Sequence, residues 1–241
     1  MSDGQSFQRF SAVTAIVSFF LIVVGGIALQ PLYTNFGSEV FTEPDLMITV
    51  GVDGAKLLRW GMIVDMLGYY LLLLPVALFL WRWLESSNPN WIRFYTFCGL
   101  GYILIGAIGA AILAVVQPPL INAYTQASTE ERENLALVFD TLWNVVYGGL
   151  WNILEVLLAG VWFLGIGLLM RGERRLFSII SIILGVSALL DSFGNILNLS
   201  ALATTGLYIY LGLAPIWALW LGIDMLRKPV QIQTADNSEA Q

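Results

Sequence analysis

The chain has 241 residues, of which 58% are hydrophobic and 12% charged, about half the charged share of a soluble domain. One cysteine and no histidine exclude disulfide frameworks, Cys/His zinc sites, histidine-ligated haem and histidine proton shuttles. The net charge of −6 lacks the basic footprint of a nucleic-acid binder, so no nucleic acid is expected; no cofactor is expected either, and the lipid bilayer is the first partner.

Residues 1–9 are polar and expected to be disordered. The first apolar run, about 10–30, is long enough to cross a hydrocarbon core of about 30 Å. It continues to Gln30-Pro31 with no A-x-A cleavage site, so it reads as a retained helix rather than a signal peptide. Pro31 to Ala55, with Glu39, Glu43, Asp45 and Asp53, reads as a long polar linker. Within it, Leu46–Val52 reads as an interfacial piece or a strand. The second span, about 57–81, carries Asp65 and Pro75. The proline removes a backbone donor and should kink the helix. The third span, about 92–116, presents Gly99, Gly101, Gly106, Gly109 and Ala110 for close helix packing. Pro118-Pro119 is expected to stop it. Ser128-Thr129-Glu130-Glu131 reads as a helix start with acids in its first turn.

Residues 134–170 follow, reading NLALVFDTLWNVVYGGLWNILEVLLAGVWFLGIGLLM. As one helix they would reach about 55 Å, against a hydrocarbon core of about 30 Å. The fourth helix is therefore overlong. Either it is one helix bent at Gly148-Gly149, or an interfacial helix precedes a span that begins at Gly148. At about 100° per residue, Asp140, Asn144, Asn152 and Glu155 fall in a sector of about 120°, with Tyr147 and Trp151 in or beside it. The fifth span, about 176–199, places Asp191, Asn195 and Asn198 at i, i+4 and i+7, on one face. The sixth, about 206–226, contains Pro215. The tail, 229–241, is polar and expected to be disordered. The fold class is all-α: a polytopic membrane protein, a six-transmembrane-helix bundle forming one domain over 10–228.

Charge gives this bundle a direction. Arg9, Arg82, Arg93, Arg171, Arg174, Arg175, Arg227 and Lys228 fall on one side, and Lys56, Arg59 and Arg132 on the other. The positive-inside rule then puts both termini in the cytoplasm of a cell whose cytoplasmic membrane holds the chain. In that topology Asp65, Asp140, Asn144, Asn152, Glu155, Asp191 and Asn195 lie in the outer half or at mid-depth. Arg59, two turns before Asp65, is placed to reach this layer as a counter-ion. Asp140 is the member closest to the water boundary.

Two segments carry a family resemblance. LLRWGMIVDMLGYYLLLLPVALFLW resembles the second span, and LFSIISIILGVSALLDSFGNIL the fifth, of a bacterial multi-pass family known as domain of unknown function 4386. Asp191-Ser192-Phe193 matches that family's aspartate, serine and aromatic run, whereas the fourth span departs from it at its DTLWN. The resemblance covers about Leu57 to Leu226. It implies the fold and the acid positions, and it implies no activity.

Ionisable groups inside a membrane are costly and usually face protein or water. The structural alternative is inter-helix hydrogen bonding, worth about 0.6–2 kcal/mol per contact. Four acids and three asparagines at similar depth point instead to a shared site. Clustered carboxylates suit proton-coupled transport, and Asp, Glu and Asn oxygens suit a hard cation. The expected role is small-solute, ion or proton handling through an outer acidic pocket, with a small ligand or cation as partner. The alternative is a non-catalytic accessory or sensor subunit whose outer loops form the partner surface. An intramembrane enzyme ranks third, since no G-x-S-x-G or H-E-x-x-H is present.

Overall fold

A computed structural model describes residues 3–86 and 88–228. Residues 1–2 and the tail 229–241, the latter expected to be disordered, lie outside the described residues. Every regular element among the described residues is helical. Six of the resulting helical stretches are long and apolar enough to cross a membrane: Gly4–Phe36, Gly51–Leu84, Pro89–Gln126, Thr129–Leu169, Arg175–Ile196 and Ser200–Arg227.

Helix α1 (Asp3–Ala28) starts inside the stretch expected to be disordered. Its first turns are held by the far end of the chain, because the Gln8 amide donates to the carbonyls of Met225 and Lys228 at 2.7 and 3.0 Å. The segment read as a polar linker is also helical. It comprises α2 (Gln30–Phe36), a 3₁₀ turn (Ser38–Phe41) and the single turn α3 (Pro44–Met47). Leu46–Val52 therefore spans the end of α3, a short turn and the first residues of the next helix, and is not a strand. Pro31 and Pro44 both sit in first turns, where proline costs no hydrogen bond. Leu32, Val40, Met47 and Ile48 are buried, against Leu58, Phe139 and Trp143 among others. Apolar burial thus folds this segment down over one end of the bundle.

The second span is not one regular helix. It runs as α4 (Gly51–Asp65), a π-helical stretch (Met66–Tyr70), a short 3₁₀ turn (Leu71–Leu73) and α5 (Leu74–Leu84), with Pro75 in the first turn of α5. Carbonyls in and beside this irregular stretch are bound from neighbouring helices. The Ser18 hydroxyl donates to Gly68 at 2.5 Å, Tyr102 to Tyr69 at 2.7 Å and Ser11 to Pro75 at 3.0 Å. Side-chain donors of this kind are what permits a broken helix within apolar surroundings.

The third span, α6 (Pro89–Gln126), continues through Pro118 and Pro119 rather than stopping there. The fixed φ of proline is itself helical, so the residues cost hydrogen bonds but not the path of the chain. The fourth begins at the capping box of Ser128, whose backbone N–H and hydroxyl both donate to Glu131 Oε2 at 2.9 and 2.7 Å. It runs without a gap through α7 (Thr129–Trp143), a twelve-residue π-helical stretch (Asn144–Glu155) and α8 (Val156–Leu169). The overlong helix is therefore continuous, and Gly148-Gly149 lie within its π-helical part. Helices α9 (Arg175–Ile196) and α10 (Ser200–Arg227) complete the chain.

Each span packs on the next, and the sixth packs on the first, so the bundle closes as a ring. Its interior at mid-height is aromatic. Trp162, Trp217, Tyr102, Phe79 and Phe163 are all fully buried, with ring centroids 4.7 Å apart for Trp162–Phe163 and 4.9 Å for Phe163–Trp217. Gly99 and Gly106 of α6 face Trp162 and Tyr70 where a Cβ would collide with the rings. The small-residue face of the third span is thus the seat of large aromatics from its neighbours. A second apolar cluster, under the covering segment 30–50, fills the end of the bundle remote from Asp3 and Lys228.

Candidate functional site

Between these two clusters lies a cavity of about 390 Å³. Four parts of the chain wall it. Leu58, Met62, Asp65, Tyr69 and Tyr70 come from the second span, and Trp143, Tyr147, Trp151, Asn152 and Glu155 from the fourth. Leu207, Tyr208, Tyr210 and Leu211 come from the sixth, and Tyr33, Phe41, Thr42 and Met47 from the covering segment. Thr42 and Tyr208 are exposed, so the cavity reaches the protein surface. Its floor is Tyr70 and Tyr210, which rest on Tyr102 and Phe163 of the aromatic interior at centroid distances of 5.6 and 6.3 Å.

The two acids arrive by similar backbone devices. Asp65 is the last residue of α4, directly before the π-helical stretch Met66–Tyr70. Glu155 is the last residue of the longer π-helical stretch. Such wide turns are rare and concentrate at functional positions. The stretch ending at Glu155 is pinned from both sides. The Trp151 indole N–H donates to the Gly106 carbonyl at 3.2 Å, and the Ser192 hydroxyl donates to the Ile153 carbonyl at 3.0 Å.

Glu155 is only 3% exposed. Its Oε1 accepts a hydrogen bond from the Tyr210 hydroxyl at 3.3 Å, while Oε2 makes none among the described residues. Asp65 is half-buried and likewise makes no hydrogen bond or ion pair among them. Asn152, 9% exposed, stands beside Glu155 on the same wall. Among the described residues no Lys or Arg lines the cavity. Two carboxylates therefore share one space without a basic neighbour, within electrostatic range of each other.

The other sequence candidates lie elsewhere. Asp140 and Asn144 pair with each other, Asn144 Nδ2 donating to Asp140 Oδ1 at 2.9 Å, and Asn144 is exposed. Asp191 is 1% exposed and lies behind the wall rather than on it. Its Oδ1 accepts from Asn195 Nδ2 at 2.8 Å, and its Oδ2 is buried with no partner. Arg59 is exposed and forms no ion pair with Asp65. The acids thus divide into two that face the cavity and two that bond within their own helices.

Sequence reasoning did not find the tyrosines. Tyr69, Tyr70, Tyr208 and Tyr210 were not singled out, because aromatic residues in apolar spans read first as packing or as interfacial belts. The only available signal was their pairing: Tyr69-Tyr70 follows Asp65 within a helix turn or so, and Tyr208 and Tyr210 flank a single isoleucine on the sixth span.

Among known families, the model of the domain of unknown function DUF4386 matches residues 12–228. Comparison with curated proteins and with solved structures finds no match.

Proposed function

The chain belongs to the DUF4386 family, whose description assigns no activity, and we propose from the cavity's geometry that this membrane protein handles a small solute or cation. The observation that carries the reading is the pair Asp65 and Glu155, brought from two spans into one cavity with no basic residue among its described lining residues. Carboxylates confined near one another in apolar surroundings are costly unless something interacts with them. A ligand or a proton that enters from the open end supplies that interaction.

The sorting of charge supports an orientation with both termini in the cytoplasm. In that orientation the cavity lies in the outer half of the bundle, with Thr42 at the external surface. A cysteine at Thr42 is then labelled by an impermeant maleimide added to intact cells, and one at Gly172 is not. Labelling at Gly172 alone would invert the topology.

The site reading is tested by thermal unfolding of the purified protein in detergent against a panel of solutes. The panel contains sodium, potassium and magnesium chlorides, amines, amino acids and sugars. At least one class should raise the unfolding temperature of the natural chain and lose that effect in both D65N and E155Q. If no class does so, or if its effect survives both substitutions, the cavity is not a solute site.

The aromatic interior closes the cavity below Tyr70 and Tyr210. That closed floor favours a second reading, in which binding is sensed rather than followed by passage across the membrane. Solute uptake into vesicles separates the two, since a sensor binds the solute without accumulating it.

A further inference from the structure

Resting on the reading of the cavity as a solute site, we infer that its ligand is a small organic ammonium ion. The carboxylates of Asp65 and Glu155 hold the charged nitrogen, and the aromatic walls hold its carbon substituents.

Charge is the first argument. Glu155 is only 3% exposed, and its Oε2 has no hydrogen-bond partner among the described residues. Asp65 has no partner among the described residues. With no basic side chain among the described lining residues, a cation is the ligand that complements these two groups. The same arrangement repels anions.

Size and donor set then separate organic from inorganic cations. A hard metal ion requires about six to eight oxygen ligands at close range. Among the described residues no group of three or more His, Cys, Asp or Glu is close enough to hold one. A cavity of about 390 Å³ falls in the range of small-molecule sites, about 300–1,000 Å³, and is far larger than a bare ion.

The walls supply the third argument. Nine of the nineteen lining residues are Phe, Tyr or Trp, against 13% of the whole chain. Sugars and other polyols would need many polar partners, yet among the described lining residues the polar uncharged groups are Thr42, Asn152, the tyrosine hydroxyls and two indole N–H groups, one of them already bonded to Gly106. Aromatic faces carry negative potential and attract alkylated ammonium groups, which shed water more readily than metal ions. Trp143 and Tyr147 stack at 4.7 Å with an interplanar angle of 12°, and Trp151 stands edge-on to Tyr147 at 6.2 Å. These three rings form a fixed wall on the helix that carries Glu155. Tyr70 and Tyr210 close the floor beneath.

The experiment uses the full chain in detergent micelles, with binding read by tryptophan fluorescence. Probes are tetramethylammonium, choline, phenethylammonium and the neutral choline isostere 3,3-dimethylbutan-1-ol, with sodium and magnesium chlorides at matched ionic strength. At least one ammonium ion should bind, and choline should bind at least about tenfold more tightly than its isostere, a difference set by the charge alone. D65N should weaken ammonium binding by about tenfold or more. E155Q should do the same, although it also alters the bond from Tyr210, so D65N is the cleaner variant. Y208L, which changes an exposed wall without touching a hydrogen bond, should weaken it about threefold to tenfold.

Equal binding of choline and its isostere, or the absence of binding by every ammonium ion, overturns the inference. Magnesium or sodium binding that depends on Asp65 and excludes ammonium overturns it too, while leaving the acidic cavity a cation site. Binding of a neutral solute that both acid variants abolish also overturns it and leaves the broader reading intact.

Discussion

Tyr102→Phe tests whether the broken second span is held by its neighbours. Tyr102 is fully buried, and its ring packs on Tyr70, Trp162 and Phe163 at centroid distances of 5.6, 5.7 and 6.1 Å. Phenylalanine keeps all of that contact and removes the hydroxyl, which donates to the Tyr69 carbonyl at 2.7 Å and also interacts with the Tyr210 hydroxyl. Hydrogen bonds between membrane helices average about 0.6 kcal/mol and reach about 1.7 kcal/mol. A buried acceptor left without its donor costs about 1–3 kcal/mol. Tyr69 sits near the end of the π-helical stretch, directly before the backbone changes register into the 3₁₀ turn. The upper half of the membrane range is therefore expected: a loss of about 1–2 kcal/mol, or about 5–30-fold in the unfolding equilibrium. The assay is reversible unfolding in mixed micelles of mild detergent and dodecyl sulfate, followed by tryptophan fluorescence. Tyr69→Phe is the control, since its hydroxyl makes an exposed bond of 3.2 Å to Leu211 and should cost less than about 0.5 kcal/mol. Equal stability of Y102F and Y69F would refute the claim that side-chain donors from outside the helix sustain its irregular stretch.

Three further outcomes follow from the packing. Gly106→Val places methyl groups into the Tyr70 ring and displaces the carbonyl that receives Trp151; overpacking should cost about 1–3 kcal/mol, while Gly26→Ala, with nothing within 4 Å, should cost little in the same unfolding assay. Ser128→Ala removes half of the capping box on the fourth span and should lower stability by about 1 kcal/mol, with increased amide exchange confined to the first turns of that helix. Arg174→Ala breaks a part-buried ion pair with Asp224 and a contact 5.4 Å from the centre of the Trp83 ring; a loss of about 1–2 kcal/mol is expected, and it should shrink when Asp224 is already asparagine.

Hydropathy made the six spans and the overlong fourth helix legible, because a helix is the simplest way to satisfy every backbone group inside an apolar layer. The ends of the spans were less legible. Gln30 to Val50 contains charges and prolines that read as linker, yet Leu32, Val40, Met47 and Ile48 are spaced to be buried over the bundle's end. Nothing in their local pattern reveals that surface, which is assembled from Leu58, Leu113, Phe139 and Trp143 of three other spans. Pro118-Pro119 misled in the opposite direction, since a proline pair weakens a helix without dictating that it ends.

The candidate site shows how one local irregularity redistributes polar side chains around a helix. A uniform α-helix would put Asp140, Asn144, Asn152 and Glu155 on a common face. In the π-helical stretch each turn takes more residues, so positions after Asn144 fall progressively out of α-helical register. Asp140 and Asn144 consequently pair with each other at the periphery, while Asn152 and Glu155 turn inward to the cavity. The stretch Met66–Tyr70 does the same for Tyr69 and Tyr70, which reach the cavity although they are adjacent in sequence. Asp191, expected beside Glu155 at equal depth, lies instead behind the wall with its own asparagine. Composition and charge sorting led to the expectation of one shared layer of acids, whereas the choice between cavity and periphery follows the hydrogen-bond register within two helices. That register is held by hydrogen bonds that all run between spans: Ser18 and Tyr102 donate to Gly68 and Tyr69, Ser192 donates to Ile153, and Trp151 donates from the fourth span to Gly106 of the third, so the inward turn of Glu155 depends on tertiary contacts that no local reading of the fourth span contains.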